Sequence, residues 1–285
     1  MAASIRRGVR RRSSLLQQAL RVEGWGRIHS VASTLPQLFP GRVRERCRRL
    51  DTLLSLISRG LWRPATVRCD GSRFRVADPE SLWILSPGYE IWMDGLLSKL
   101  RDGDTFLDVG AHVGRYTVRV AKRGFRVVAV EANPQTYPLL TENVKLNGVA
   151  DRVVCLHQAA WNREGWLRFY SSKVRGWSTC LRRYAAEVDG VYRVRGRPLD
   201  HSLEELGLVR EVGLAKVDVE GAEVEALEGL RRTIAASHPR LIVEVKPPNA
   251  SRFSNFIRSI GYTAHPIPED QTKGNFLCEP RGGEG

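Results

Sequence analysis

The sequence predicts an α/β fold: a doubly wound, mostly parallel sheet with helices on both faces. Three observations predict it. Short apolar runs recur from residue 105 onward, each followed by a stretch of helical periodicity. The first run, TFLDV, opens directly into a glycine turn, GAHVG. The runs are apolar at successive positions, which is how strands covered on both faces read.

The N-terminal segment, residues 1–60, is a basic arm, partly helical. Pro36 and Pro40–Gly41 close its first part. Leu50, Leu53, Leu54 and Ile57 predict a helix from about Val43 to Leu61. Residues 61–100 form a cap. Asp70–Gly71 between two alternating runs predicts a hairpin over 66–76. Residues 87–100 read as a helix with Ile91, Trp92, Leu96, Leu97 and Leu100 on one stripe.

The main domain is 101–285. Strands are expected at 105–109, 126–132, 152–160, 214–221 and 240–245, with a final pair near 262–267 and 274–279. Helices are expected at 116–121, 138–146, 222–236 and 251–260, the second stopped by Asn147–Gly148. Residues from about 161 to 200 interrupt the alternation. WLRFY and VYRVRG within them predict an inserted hairpin over the sheet edge or the site.

Charge is uneven. The net charge is +14, and residues 1–50 carry 12 Lys+Arg against 2 Asp+Glu. A polyanion or anionic-membrane contact is therefore expected of the arm alone, where Arg42, Arg44, Arg46, Arg48 and Arg49 cluster; a solvated helix face is the plainer reading. The opening residues are acid-poor like a transit peptide but lack the apolar centre of a secretory signal. No apolar run reaches the ~18 residues of a membrane span. Five cysteines without a CxxC pair argue against a disulfide framework and a zinc site, and favour a reducing, cytoplasmic setting.

The turn LDVGAHVGRY decides between nucleotide ligands. His112 stands where the dinucleotide fingerprint needs glycine, which makes a nicotinamide-dependent oxidoreductase a poor reading. Gly110 and Gly114 would let backbone approach a ligand closely. Asp108 would repel a diphosphate but would suit a ligand carrying an amine and a sulfonium, namely S-adenosylmethionine. A helix cap is the structural alternative for Asp108. Glu131, at the end of the second strand, is placed to accept hydrogen bonds from ribose hydroxyls.

KVDVEG, 216–221, puts Lys216, Asp218 and Glu220 on one face of a strand that should be buried. Charges there need pairing or a function. A buried Lys–Asp pair is the structural alternative, strongest for Lys216.

The set LDVGAHVGRYT, VVAVEANP, ENVKLNG, KVDVEGAEVEALEG and LIVEVK resembles the FkbM family of S-adenosylmethionine-dependent methyltransferases, over roughly residues 80–270. The first 60 residues match no pattern of that family. The resemblance implies the class I, Rossmann-like fold: seven strands, the last antiparallel. It implies methyl transfer to a hydroxyl of a sugar or other small molecule. It places Asp108, Gly110, Ala111 and Gly114 in the cofactor turn, with His112 and Tyr116 in the same segment. Glu131 would hold the ribose, Ala132 flank the adenine, and Ala159 and Ala160 lie near the adenine edge.

A base near the acceptor would speed transfer. Asp218, Glu220, Glu244 and His112 are candidates. Glu220 is favoured, with Lys216 and Asp218 as a supporting pair. Alternatively Asp218, Glu220 and Glu244 would hold a divalent metal. Trp177, Ser178 and Thr179 would line the acceptor pocket or simply pack the hairpin. Two competing functions remain. One is an RNA methyltransferase using the arm, although no Asn-Pro-Pro-aromatic signature is present and Pro247–Pro248 lie in KPPN, beyond Glu244. The other is a non-catalytic module that binds a partner or membrane.

Overall fold

The computed structural model describes residues 64–78, 81–85, 89–173, 175–268 and 274–281. The expected arm, its helix at 43–61 and its arginine cluster lie outside the described residues. The chain divides into two compact units, Met1–Tyr89 and Glu90–Gly285.

In the first unit, β1 (Ala65–Cys69) and β2 (Ser72–Val76) form the expected hairpin, with Cys69 opposite Ser72. Asp70 and Gly71 both have positive φ, 48° and 73°, as a two-residue turn between twisted strands requires. A single helical turn follows, α1 (Ser81–Ile84), whose Ser81 amide donates to Asp78 Oδ1 at 2.7 Å.

The second unit begins with α2 (Met93–Leu97), much shorter than the helix expected over 87–100. Glu90 has a left-handed φ of 43°, so no helix can run through it. Then come β3 (Thr105–Val109), α3 (Arg115–Ala121), β4 (Arg126–Val130), α4 (Tyr137–Leu146) and β5 (Val153–Leu156). The third expected strand is interrupted. After Leu156 the chain leaves the sheet, and β6 (Ala159–Ala160) joins a second sheet with β7 (Gly165–Ser172) and β8 (Val188–Arg197), in the order β6-β8-β7. That sheet is the inserted hairpin, extended by one short strand.

Helix α5 (Leu199–Glu205) was not anticipated, although Leu199 and Leu203 have helical spacing. Strand β9 (Val212–Val217) ends four residues earlier than expected. The helix expected over 222–236 is two helices, α6 (Glu223–Glu228) and α7 (Arg231–Ser237). Between them Gly229 passes so close to the backbone of Trp161 that a Cβ would lie 2.2 Å from its carbonyl oxygen. The chain closes with β10 (Arg240–Glu244), α8 (Ala250–Ser259), β11 (Tyr262–Pro266) and β12 (Asn275–Pro280).

The main sheet has seven strands in the order β11-β12-β10-β9-β3-β4-β5. β12 runs antiparallel to both neighbours, and the β10-β9-β3-β4-β5 pairs are parallel. Period-two alternation sorts the core. Leu107, Val109, Val217 and Val243 pack with Leu203, Leu227, Ile234 and Phe253 from α5 to α8. Phe106, Val127, Leu214 and Ile242 pack with Met93, Val120, Leu140 and Val144 from α2 to α4. Strand order reverses between β3 and β9, so their C-terminal ends open the crevice where ligands of such sheets bind.

Candidate active site

The turn after β3 is tied down by its own backbone. The amides of Gly110 and Ala111 donate to Val130 at 2.9 and 3.0 Å, and Gly114 donates to Ala111 at 2.9 Å. Both glycines have left-handed φ. A Cβ on Gly110 would lie 1.8 Å from the Asp218 carbonyl oxygen, and one on Gly114 would lie 2.8 Å from Leu140. Close packing within the protein already requires glycine at both positions.

Glu131 is the hinge of this turn. Its Oε2 accepts from the His112 amide at 2.8 Å and its Oε1 from the Asn133 amide at 2.7 Å. Burial raises its carboxyl to about 7 against the pull of those two amides, with Asp108 and Asp218 adding to the rise. Asp108 does not reach the crevice mouth. It is buried at 1% exposure and accepts from Thr117 Oγ1 at 2.6 Å. Burial raises its carboxyl, and Lys216 opposes the shift. In the strand register Asp108 stands directly opposite Lys216. Tyr116 is also buried, its hydroxyl donating to Glu90 at 2.5 Å and its ring 5.6 Å from the Lys216 ammonium.

Ala132 packs against the small cluster of Ala159, Phe169 and Val194. Ala160 belongs instead to the core beneath α5 and α6. Both Ala159 and Ala160 are held by pairing to Gly196 and Arg197, which the reading of one continuous strand did not foresee.

The four candidates from β9 and β10 do come together. One carboxylate oxygen from each of Asp218, Glu220 and Glu244 lies within 4.8 Å of the others. Lys216 pairs with Asp218 at 2.7 Å, so the structural alternative for Lys216 is also realised. The residue missed at the sequence level is Lys246. Its ammonium bonds Glu220 Oε2 at 2.6 Å and Glu244 Oε1 at 3.2 Å. The signal was present in LIVEVK, where Glu244 and Lys246 have the two-residue spacing that places side chains on one face of an extended chain.

Carboxylates crowded this closely repel one another, which favours the protonated forms of Glu220 and Glu244. Burial and then Asp218 raise the Glu220 carboxyl to about 8, while Lys246 pulls it down. Asp218 and burial raise Glu244 to about 7. Burial works against the Lys246 ammonium, but Glu220 and Glu244 outweigh it and hold Lys246 above its ordinary value.

The turn carrying Glu220 is strained and braced. Glu220 has φ 51° and Gly221 φ 107°. Glu223 is fully buried and accepts from the amides of Gly221 and Lys246. Asn249 donates to the Gly221 carbonyl and to Glu223, both at 2.6 Å, and accepts from the Tyr184 hydroxyl at 2.9 Å. Tyr184 comes from the insertion, and a Cβ on Gly221 would lie 2.2 Å from its ring. Ser178 of the insertion accepts from Asn133 Nδ2 at 3.5 Å, and Thr179 pairs with Tyr170. Trp177 is exposed at 53%. The insertion therefore touches both rims of the crevice.

The FkbM methyltransferase domain matches residues 108–264, more than half of the sequence. The chain belongs to the FkbM methyltransferase family. Among relatives, the hexuronic acid methyltransferase AglP of Haloferax volcanii is 26% identical over 207 residues, covering 71% of this chain and 83% of that protein. A tRNA (guanine(37)-N(1))-methyltransferase of Trichomonas vaginalis is 32% identical over 94 residues, covering 33% of this chain and 24% of that protein. This FkbM-family chain thus spans about a quarter of the length of that relative. The crystal structure of a methyltransferase FkbM from Methylobacillus flagellatus aligns at TM-score 0.46 with 15% identity, covering 97% of this chain and 59% of that one. Among the described residues, no helix is long and apolar enough to cross a membrane.

Proposed function

We propose that the chain transfers a methyl group from S-adenosylmethionine to a hydroxyl oxygen of an acidic saccharide, with Glu220 as the base. The observation that carries the reading is the Glu220 corner: a half-buried carboxyl raised to about 8 just beyond the end of β9, at the crevice of a family methyltransferase. A base of that strength suits proton removal near neutral pH.

The residues fit the cofactor. A pyrophosphate would need free backbone amides at the turn, yet Gly110, Ala111, His112 and Gly114 have theirs engaged. The carboxylates of Glu131, Asp218, Glu220 and Glu244 outnumber the ammoniums of Lys216 and Lys246 around the crevice, which suits a cation. Glu131 would receive the ribose hydroxyls on its remaining lone pairs, and Asp108 would add negative potential from below. When bound, S-adenosylmethionine supplies an electrophilic methyl group on a sulfonium.

Lys246 holds Glu220 Oε2, and Oε1 has no hydrogen bond among the described residues. The acceptor hydroxyl would give its proton to Oε1. Lys246 keeps Glu220 ionised more often than burial alone would allow, and Lys216 pairs with Asp218 at 2.7 Å. Alignment of the hydroxyl supplies acceleration beside the base. The Lys246 ammonium also supplies the positive charge that a divalent metal would bring to these carboxylates, so metal-free turnover is expected.

The saccharide acceptor rests on the Haloferax relative. A stretch of 71% of 285 residues must run across the insertion at 165–197, the segment that covers the crevice. The RNA reading draws on the tRNA methyltransferases, whose match is a third of the chain.

The test is calorimetric titration with S-adenosylhomocysteine, with NADH as control, followed by radiolabelled methyl transfer to oligouronates and to tRNA. Micromolar binding of S-adenosylhomocysteine alone and label in the oligouronate are expected. Label in tRNA only would replace the acceptor, and no binding by folded protein would sink the cofactor.

A further inference from the structure

The outer face of the inserted hairpin carries charge that the catalytic reading does not use. On β7, Leu167, Phe169 and Ser171 turn inward, which leaves Trp166, Arg168 and Tyr170 on the other face. On β8 the residues opposite these three are Arg195, Arg193 and Val191. Arg168 and Arg193 are direct cross-strand partners. Like charges placed so destabilise a sheet. Arg195 has Glu164 at 3.4 Å, but among the described residues Arg168, Arg182 and Arg193 have no carboxylate partner.

The aromatics are interleaved with the arginines. The Arg193 guanidinium lies 4.6 Å from the Trp166 ring centroid, and that indole is 61% exposed. Arg182 lies 5.7 Å from the Tyr170 ring. The two stacked pairs stand four residues apart along β7, roughly 13 Å. The second pair adjoins Tyr184, which packs on Gly221 beside Glu220. A basic, aromatic track therefore leads along the hairpin to the turn that carries the proposed base.

We infer that this face is a docking platform for an anionic oligosaccharide, whose acidic sugars sit on Trp166, Arg168, Tyr170, Arg182 and Arg193 while one end enters the crevice. The inference rests on the saccharide reading above and extends it to the residues beyond the reacting sugar. Guanidinium forks match carboxylates in geometry and charge. The negative face of an indole attracts the C–H groups of a sugar ring. An anion between Arg168 and Arg193 turns a repulsive pair into a bridged one. A polyuronate supplies carboxylates and C–H faces in alternation. A nucleic acid would be better served by a run of stacked aromatics, and this face has only two.

The test uses the full chain and calorimetry with three probes: an oligogalacturonate, a neutral gluco-oligosaccharide of equal length, and oligouridylate. The chain should hold the oligogalacturonate and not the neutral sugar. Arg168→Gln/Arg193→Gln should weaken that binding by about tenfold or more. Trp166→Ala should weaken it too. S-adenosylhomocysteine binding checks that each variant is folded. Undiminished oligogalacturonate binding in both variants overturns the platform, as does equal binding of the neutral sugar. Oligouridylate held more tightly through the same arginines overturns it in favour of nucleic acid. If S-adenosylhomocysteine binds and the oligogalacturonate does not, the platform alone fails. If S-adenosylhomocysteine does not bind the folded chain, the methyltransferase reading fails first.

Discussion

Two acid corners in the same unit, one buried and one half-buried, are built in opposite ways. At the start of α7, Asp200 accepts from the amides of Arg232 and Thr233 at 2.9 Å each and from the Thr233 hydroxyl at 2.7 Å. It is a cap: short, neutral donors at a helix N-terminus match the carboxylate completely. At the end of β9, Glu220 sits at φ 51°, faces two other carboxylates, and is held by one long lysine. The first acid stabilises the fold. The second is kept in a strained, half-satisfied state that suits moving a proton.

Glu220→Gln should break the comparison most sharply. Turnover should fall by about 10²–10⁴-fold, while calorimetry shows S-adenosylhomocysteine binding unchanged. Turnover within a factor of two of the parent would remove Glu220 as the base.

Gly110→Ala tests whether the two halves of the crevice share one tight contact. The new Cβ would meet the Asp218 carbonyl at 1.8 Å in a left-handed backbone. A loss of about 3 kcal/mol is expected in denaturant melts. An unperturbed midpoint would mean that the β3 turn and the β9 end can part freely.

Asp200→Ala should cost about 2 kcal/mol through the lost cap and the orphaned donors. The midpoint should fall, and the pH profile of turnover should keep its shape. A displaced profile would show that the Asp200 corner is coupled to the chemistry after all.

Lys246→Met should move the alkaline rise of turnover to higher pH, because Lys246 lowers the Glu220 carboxyl and methionine cannot. A profile moved to lower pH would contradict the pairing.

The raised carboxyls also make stability depend on pH. Glu131, Glu220 and Glu244 ionise near 4.5 when the chain is unfolded, but hold protons to about 7, 8 and 7 when folded. Stability from the protonated carboxyls is full below pH 4.5 and is lost as pH rises to about 8. The melting temperature should therefore decline across that window, and Glu220→Gln should flatten the decline above pH 7. Parallel curves for parent and variant would refute the raised value.

Much of the fold was legible because burial writes period and composition directly into the chain. TFLDV, RVVAV and RLIVE are apolar at nearly every position, as covered parallel strands must be. Asn147–Gly148 stopped α4 as expected, with Gly148 at positive φ. The failures fall where distant segments touch. The helix expected over 222–236 breaks at Gly229, where Trp161 presses against the backbone. Glu90 looked helical until its backbone turned left-handed, with its carboxylate on Tyr116.

The candidate site divides along the same line. Glu131, Asp218, Glu220 and Glu244 were readable as candidates because strand ends adjoin the crevice, and an acid there is conspicuous against apolar neighbours. Asn249 and Tyr184 were not, because their meaning comes from contacts spanning dozens of residues, and Lys246 was legible only in its spacing from Glu244. Local periodicity determined by itself where most strands of the main sheet lie and where the acids stand along them. Only tertiary structure decided which charges pair, since an ammonium settles where several carboxylates converge, and convergence is a property of the folded sheet.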